Sequence, residues 1–174
     1  MASRVILTAD ELIALDVEGR GKARRAAREA PMSKWILRAF LERGAPVPVE
    51  EIVAGLQRGS ADEAVRDALM RMDDDDLIRV RDGHVDIAYP FSASPTPFVV
   101  RLPDGTKRYA CCATDALGIA PMIGQRIEIR SSCHHCGVPV EFATTPEGPA
   151  PDAAGVMLWV GQRTEEQCRA VDSL

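Results

Sequence analysis

Cys111-Cys112-Ala113-Thr114-Asp115 and, further along, Cys133-His134-His135-Cys136 hold the side chains best suited to chemistry in this sequence. Four of the five cysteines and two of the three histidines fall between positions 111 and 136. On a helix that begins near Ala110, Cys112 and Asp115 are i, i+3 and project from one face. A soft nucleophile beside a proton carrier suits chemistry on a soft metal or an acyl carbon. The second cluster is a Cys-x-x-Cys half-site. Cys133 and Cys136 can hold a metal such as zinc, with His134 or His135 completing the set. The competing reading is a strand turn in which Cys133 is buried and Cys136 is merely near it.

The elements that must position these groups have to fit in 174 residues, enough for one ordinary domain and a small accessory one. A net charge of −5 and a pI of about 5.3 weigh against an extended nucleic-acid-binding surface. No apolar run approaches the roughly 20 residues of a membrane span, and the N-terminus lacks the apolar core of a secretory signal. The expectation is therefore a soluble, cytoplasmic protein with no membrane partner. An odd number of cysteines, two adjacent and two in Cys-x-x-Cys spacing, points to metal ligands or reactive thiols rather than a disulfide framework.

The pattern predicts an α+β chain in four parts. Residues 1–31 read as a helical arm: Thr8 and Glu11 form a capping box, and a basic run with Arg20, Lys22, Arg24, Arg25 and Arg28 follows. Residues 32–91 read as a winged-helix-like domain. Trp35, Ile36, Phe40 and Leu41 make a helical stripe ending at Gly44; Val49, Ile52, Val53 and Leu56 make a second; Val65, Ala68, Leu69 and Met72 make a third after the Ser60/Glu63 capping box. Ile78-Arg79-Val80 and Val85-Asp86-Ile87 alternate across Asp82-Gly83, a strong hairpin signal, with His84 solvated beside the turn. The third helix would be the DNA-reading one, yet Asp62, Glu63, Asp67 and Asp73 to Asp76 are placed outward with only Arg66 and Arg71 as counterweights. Such a face repels phosphates, so a structural or docking role is expected and DNA is not an expected partner.

Residues 92–97 read as a linker, and residues 98–174 as a small mixed or antiparallel sheet domain carrying the cysteine site. Strands are expected at Phe98–Leu102, Lys107–Ala110, Arg126–Arg130, Pro139–Phe142 and Val156–Val160. A short helix from Cys112 is stopped by Pro121 and Gly124, Thr145–Ala154 is a loop, and a last helix passes through Cys168.

Tyr109-Ala110-Cys111-Cys112-Ala113-Thr114-Asp115-Ala116-Leu117, Pro121-Met122-Ile123-Gly124, Ser131-Ser132-Cys133 and Gly137-Val138-Pro139-Val140 together resemble the alkylmercury lyase (organomercurial lyase) family, in register from Phe98 to Val160. That family also carries a winged-helix-like segment before this region. The resemblance implies that Cys112 is the first catalytic cysteine, Asp115 the catalytic aspartate and Cys133 a structural cysteine. It implies protonolysis of a carbon–mercury bond: thiolates load mercury with electron density and the carboxylic acid protonates the leaving carbon, releasing hydrocarbon and Hg²⁺. No cofactor is required, and small thiols or a mercury-accepting protein would take the Hg²⁺. Unsatisfied N–H groups at a helix start would lower the Cys112 pKa.

The family's second catalytic cysteine follows the strand matching Val156–Val160 and the next helix, where this chain ends. Cys111 and Cys168 are the candidates on the chain for that ligand, although Cys168 lies early and successive side chains at 111 and 112 diverge. Two expectations stand side by side. One is a missing segment, from a truncated frame or a stop codon read as selenocysteine; the other is a short homologue that has lost the activity. Two further classes compete with the lyase: a mercury-, zinc- or copper-binding or sensing protein without turnover, and a winged-helix regulator with a thiol sensor.

Overall fold

The computed structural model describes residues 30–56 and 62–158. The Thr8 capping box, the basic arm, Ser60 and the last helix with Cys168 lie outside them.

The first described helix, α1 (Ala30–Arg43), buries Met32, Ile36, Ala39 and Phe40, the 3.6-residue stripe expected of it. It closes at Gly44, whose φ of +63° and N–H bond to Phe40 O (2.9 Å) make a left-handed cap. After the two-residue strand β1 (Val47–Pro48), α2 (Val49–Leu56) buries Ile52 and Val53. Next, α3 (Asp62–Asp74) buries Val65, Ala68, Leu69 and Met72. The hairpin of β2 (Ile78–Arg81) and β3 (His84–Ala88) turns through Asp82 (φ 50°) and Gly83 (φ 75°), both left-handed as a type I′ turn requires. His84 is exposed there, its Nδ1 2.8 Å from Asp82 O.

Two details of the acidic third helix differ from the sequence reading. Asp73 is buried rather than outward, because its carboxylate accepts the Val80 N–H (2.9 Å) where β2 leaves the helix. Arg66 is paired with Glu50 (2.6 Å) and is not an unengaged counterweight.

A single sheet continues from this hairpin. Strand β4 (Phe91–Ser92), reached through a cis Tyr89–Pro90 peptide, pairs on one side with β3 and on the other with β6 (Lys107–Ala110). β5 (Phe98–Arg101) lies between β6 and β7 (Ile127–Ser132), and β8 (Pro139–Thr145) and β9 (Gly148–Pro149) complete the far edge. All the strand pairs are antiparallel. One apolar cluster runs from Ile36 and Phe40 through Phe91 and Val100 to Ile119, Ile129 and Phe142.

Arg108, which the sequence reading passed over, ties the helices to this sheet. It occupies an inward position of β6 and is buried. Its guanidinium donates to Leu41 O (2.6 Å), Glu42 O (2.6 Å) and Lys107 O (2.7 Å). A Cβ at Gly44 would come within 3.1 Å of the Arg108 Cδ, so the cap glycine also clears the arginine's path.

The last described helix, α4 (Ala113–Ile123), runs past Pro121, contrary to expectation. A proline in the final turn removes one bond and little else, and the helix ends at Gly124 (φ 69°), whose N–H bonds Ala120 O (2.9 Å). The strand expected from Val156 is not formed over its described part: Val156, Met157 and Leu158 are exposed and unpaired with the sheet. The ladder position beside β8 is already taken, because β9 pairs with Thr144 and Thr145, and a 3₁₀ turn (Pro151–Ala153) places Asp152 to accept the Ala143 N–H (3.1 Å). Among the described residues no helix is long and apolar enough to cross a membrane.

Candidate active site

The site forms where β6 gives way to α4. Ala110 is held on both sides, by Phe91 and Phe98, and its carbonyl accepts the Thr96 hydroxyl (2.6 Å). Cys111 N–H is committed to Pro90 O (3.0 Å). With the backbone tied to the sheet this far, helix can begin only at Ala113, and Cys112 becomes its N-cap with extended φ, ψ of −149° and 179°. Cys112 and Asp115 thus do not share a helical face in the simple sense; they are the N-cap and N3 residues of one helix start.

They meet more closely for it. The Cys112 Sγ accepts the Asp115 N–H (3.4 Å), and the Asp115 carboxylate reaches back to the Cys112 N–H and thiol. This reciprocal arrangement is a capping box with sulfur in place of the usual hydroxyl. The signal was present in the sequence as Cys-x-x-Asp ahead of Ala116, Ile119 and Ala120, the residues that α4 buries.

Burial controls the charges. It pushes the Asp115 carboxyl above the usual carboxylate range, although the two hydrogen bonds from Cys112 act the other way. Burial also pushes the Cys112 thiol up to about 11, and the Asp115 charge and hydrogen bond add to that rise. The N–H groups of Asp115 and Thr114 pull downward, as expected at a helix start, but they lose. The expected net lowering of the Cys112 pKa is therefore reversed. The resting site keeps its proton on sulfur, next to a carboxylate able to take it.

Alkylation of Cys112, followed by peptide mapping, should accordingly be slow at neutral pH and rise toward pH 11. Asp115→Asn removes the charge and the acceptor that hold the proton on sulfur, so its alkylation profile should move to lower pH. An unshifted profile would mean that Asp115 does not govern the thiol.

Cys111 behaves differently. It is 4% exposed and packs with Ile87 and Tyr89. Burial raises its thiol pKa even further. The structure thus commits this candidate second ligand to apolar packing, whereas Cys112 is half-buried.

Cys133 and Cys136 lie in the β7–β8 connection. The turn is closed by Cys133 N–H to Val138 O (2.8 Å) and Gly137 N–H to Cys133 O (2.8 Å), with Gly137 at φ 74°. The N–H groups of Cys136 and His135, with the Cys136 thiol, hydrogen-bond Cys133 Sγ and hold its pKa below the usual thiol range. Cys133 is half-buried; Cys136, His134 and His135 are exposed. Among the described residues no three His, Cys, Asp or Glu side chains converge on a metal position. His134 and His135, both exposed, are therefore not gathered with the two cysteines into the tetrahedral set expected of them.

Comparison with known proteins bears on the region around Cys112. Residues 91–174 match the family model described as alkylmercury lyase. The chain is 34% identical over 122 residues to the alkylmercury lyase of Staphylococcus epidermidis, covering 68% of this chain and 54% of that one. It is 28% identical over 117 residues to the alkylmercury lyases of Bacillus cereus and Clostridium butyricum, covering 66% of this chain and 51% of each of those. The chain thus spans about half the length of these curated relatives. The crystal structure of the mercury-bound form of MerB2 has a similar fold, with a TM-score of 0.61 at 20% identity over 78% of this chain and 66% of that one. Residues 91–174 of this chain thus match the alkylmercury lyase family model, and the 34% identity to the Staphylococcus epidermidis protein agrees with that match.

Proposed function

We propose that this protein cleaves carbon–mercury bonds, with Cys112 as the mercury ligand and Asp115 as the proton carrier. The observation that carries the reading is the reciprocal Cys112–Asp115 pair, in which thiol and carboxylate are hydrogen-bonded at a half-buried helix start. An organomercurial R–Hg–X exchanges X⁻ for the Cys112 sulfur, and the displaced thiol proton passes to Asp115. Burial favours the protonated carboxyl, so the proton stays within reach. The Hg–C bond then breaks with its electron pair remaining on carbon, and carbon takes the proton from Asp115 to leave as R–H. Mercury is left as Hg²⁺ on sulfur. A second thiolate strengthens the first step by donating into mercury; Cys168 or a small thiol from solution supplies it, and small thiols or an accepting protein carry Hg²⁺ away. No cofactor takes part. The four described cysteines are free, which suits a reducing compartment such as the cytoplasm.

The order α1-β1-α2-α3-β2-β3, with β1 paired to β3 beside the hairpin, supports reading residues 32–91 as a winged-helix-like domain. Its acidic third helix suits docking onto the rest of the fold better than onto DNA.

The test is incubation of the full chain with an organomercurial, with headspace analysis of hydrocarbon and mass analysis of the protein. Hydrocarbon release in step with Hg²⁺ formation is the expected result. Stoichiometric retention of intact R–Hg on the protein would replace this reading with that of a binder.

A further inference from the structure

The Cys133–Cys136 turn sits at the same end of the sheet as Cys112. β6 and β7 flank β5 and both run antiparallel to it, so they run in the same direction. Phe98 is opposite Ala110 in β6, and Val99 is opposite Arg130 in β7. Ala110 and Ser131 are therefore level across the sheet, and both chains leave it over the next few residues, into Cys112 on one side and Cys133 on the other. Two strand spacings, about 10 Å, separate them laterally.

The turn itself is built to present two sulfurs together. Its backbone closes across the pair, by Cys133 N–H to Val138 O and Gly137 N–H to Cys133 O, with Gly137 in the left-handed conformation, and Cys136 is near enough to Cys133 to shift its titration. The backbone N–H groups of His135 and Cys136 lie near that sulfur, where they would stabilise negative charge. Among the described residues no third His, Cys, Asp or Glu side chain joins them at a metal position, which leaves the turn its two sulfurs. That number leaves zinc short of its four ligands, whereas Hg²⁺ is satisfied by two soft thiolates.

We propose that Cys133 and Cys136 form a second thiolate site that receives inorganic Hg²⁺ from Cys112 and holds it between two sulfurs. In the transfer, Cys133 and Cys136 sulfurs bond to mercury, and the bonds from mercury to Cys112 and to the second thiolate break. The two protons given up by Cys133 and Cys136 pass to the two departing sulfurs, and nothing is oxidised or reduced. The delivery step rests on the carbon–mercury cleavage reading; capture of Hg²⁺ by the pair does not.

The capture arm uses mercuric chloride as the probe on the full chain carrying Cys111→Ala, Cys112→Ser and Cys168→Ser, so that only the pair remains. Two thiols on one turn act as a chelate with an effective concentration in the millimolar range or above. The expected result is about one Hg²⁺ per chain held against millimolar glutathione, with both thiols blocked to thiol reagents. Adding Cys136→Ser should reduce that retention at least about tenfold. Equal retention with and without Cys136 would overturn the proposal. Should the Cys111 change unfold the chain, the same comparison is made with Cys136→Ser alone, reading mercury-sulfur coordination by X-ray absorption; no change in the number of sulfurs per mercury would again overturn it. The delivery arm measures hydrocarbon released per chain from an organomercurial without added thiol. Cys136→Ser should lower it from about two equivalents to about one. If neither chain releases hydrocarbon, the cleavage reading fails, while the mercuric chloride result still decides whether the pair is a site.

Discussion

Asp115→Asn is expected to slow hydrocarbon release by about 10²- to 10⁴-fold while leaving mercury bound at Cys112. Amide and carboxylate have nearly the same shape, and the amide can still accept the Cys112 N–H that closes the capping box, so the helix start should persist. What the amide cannot do is accept the thiol proton and later give it to carbon. Cys112→Ser should remove both turnover and mercury binding at this position, because a hydroxyl caps the helix as well as a thiol but is too hard a ligand for mercury. Separate measurement of bound mercury and released hydrocarbon distinguishes the two variants. Wild-type turnover in Asp115→Asn would remove the aspartate from the mechanism, and wild-type mercury loading in Cys112→Ser would move the site elsewhere.

Arg108→Ala should cost about 3–5 kcal/mol of stability, a large part of the margin of a typical domain. The arginine makes three charge-assisted bonds to backbone carbonyls, two of them in the last turn of α1. Those carbonyls have no partner within the helix, and the negative end of the helix dipole favours a cation there. Truncation strands the carbonyls and empties a buried position at the junction of α1 and the sheet. Arg108→Lys should recover only part of the loss, since a point charge cannot serve forked acceptors. Urea unfolding followed by helix and sheet signals measures the effect as a fall in midpoint at constant slope. A shift smaller than about 1 kcal/mol would show that water satisfies these carbonyls equally well.

Local pattern alone determined much of this protein. The stripes Ile36/Phe40 and Val65/Leu69/Met72, the Asp82-Gly83 turn and the alternating strands at 98–101 and 127–130 are set by side-chain periodicity and by backbone conformations that few residues adopt. The spacing of Cys112 and Asp115 was equally legible, since a cap and its N3 residue are three apart in any helix. Other features depended on what the chain meets elsewhere. Arg108 reads as an ordinary strand cation until the end of α1, far away in sequence, is seen to need it. Asp73 reads as one more solvated acid until β2 offers Val80 N–H. Val156–Leu158 reads as a strand until β9 and Asp152 occupy the edge it would pair with. The direction of the Cys112 pKa belongs with these. Helix-end N–H groups are visible in the sequence and favour thiolate, but desolvation depends on burial by the assembled fold, and at Cys112 desolvation is the larger effect.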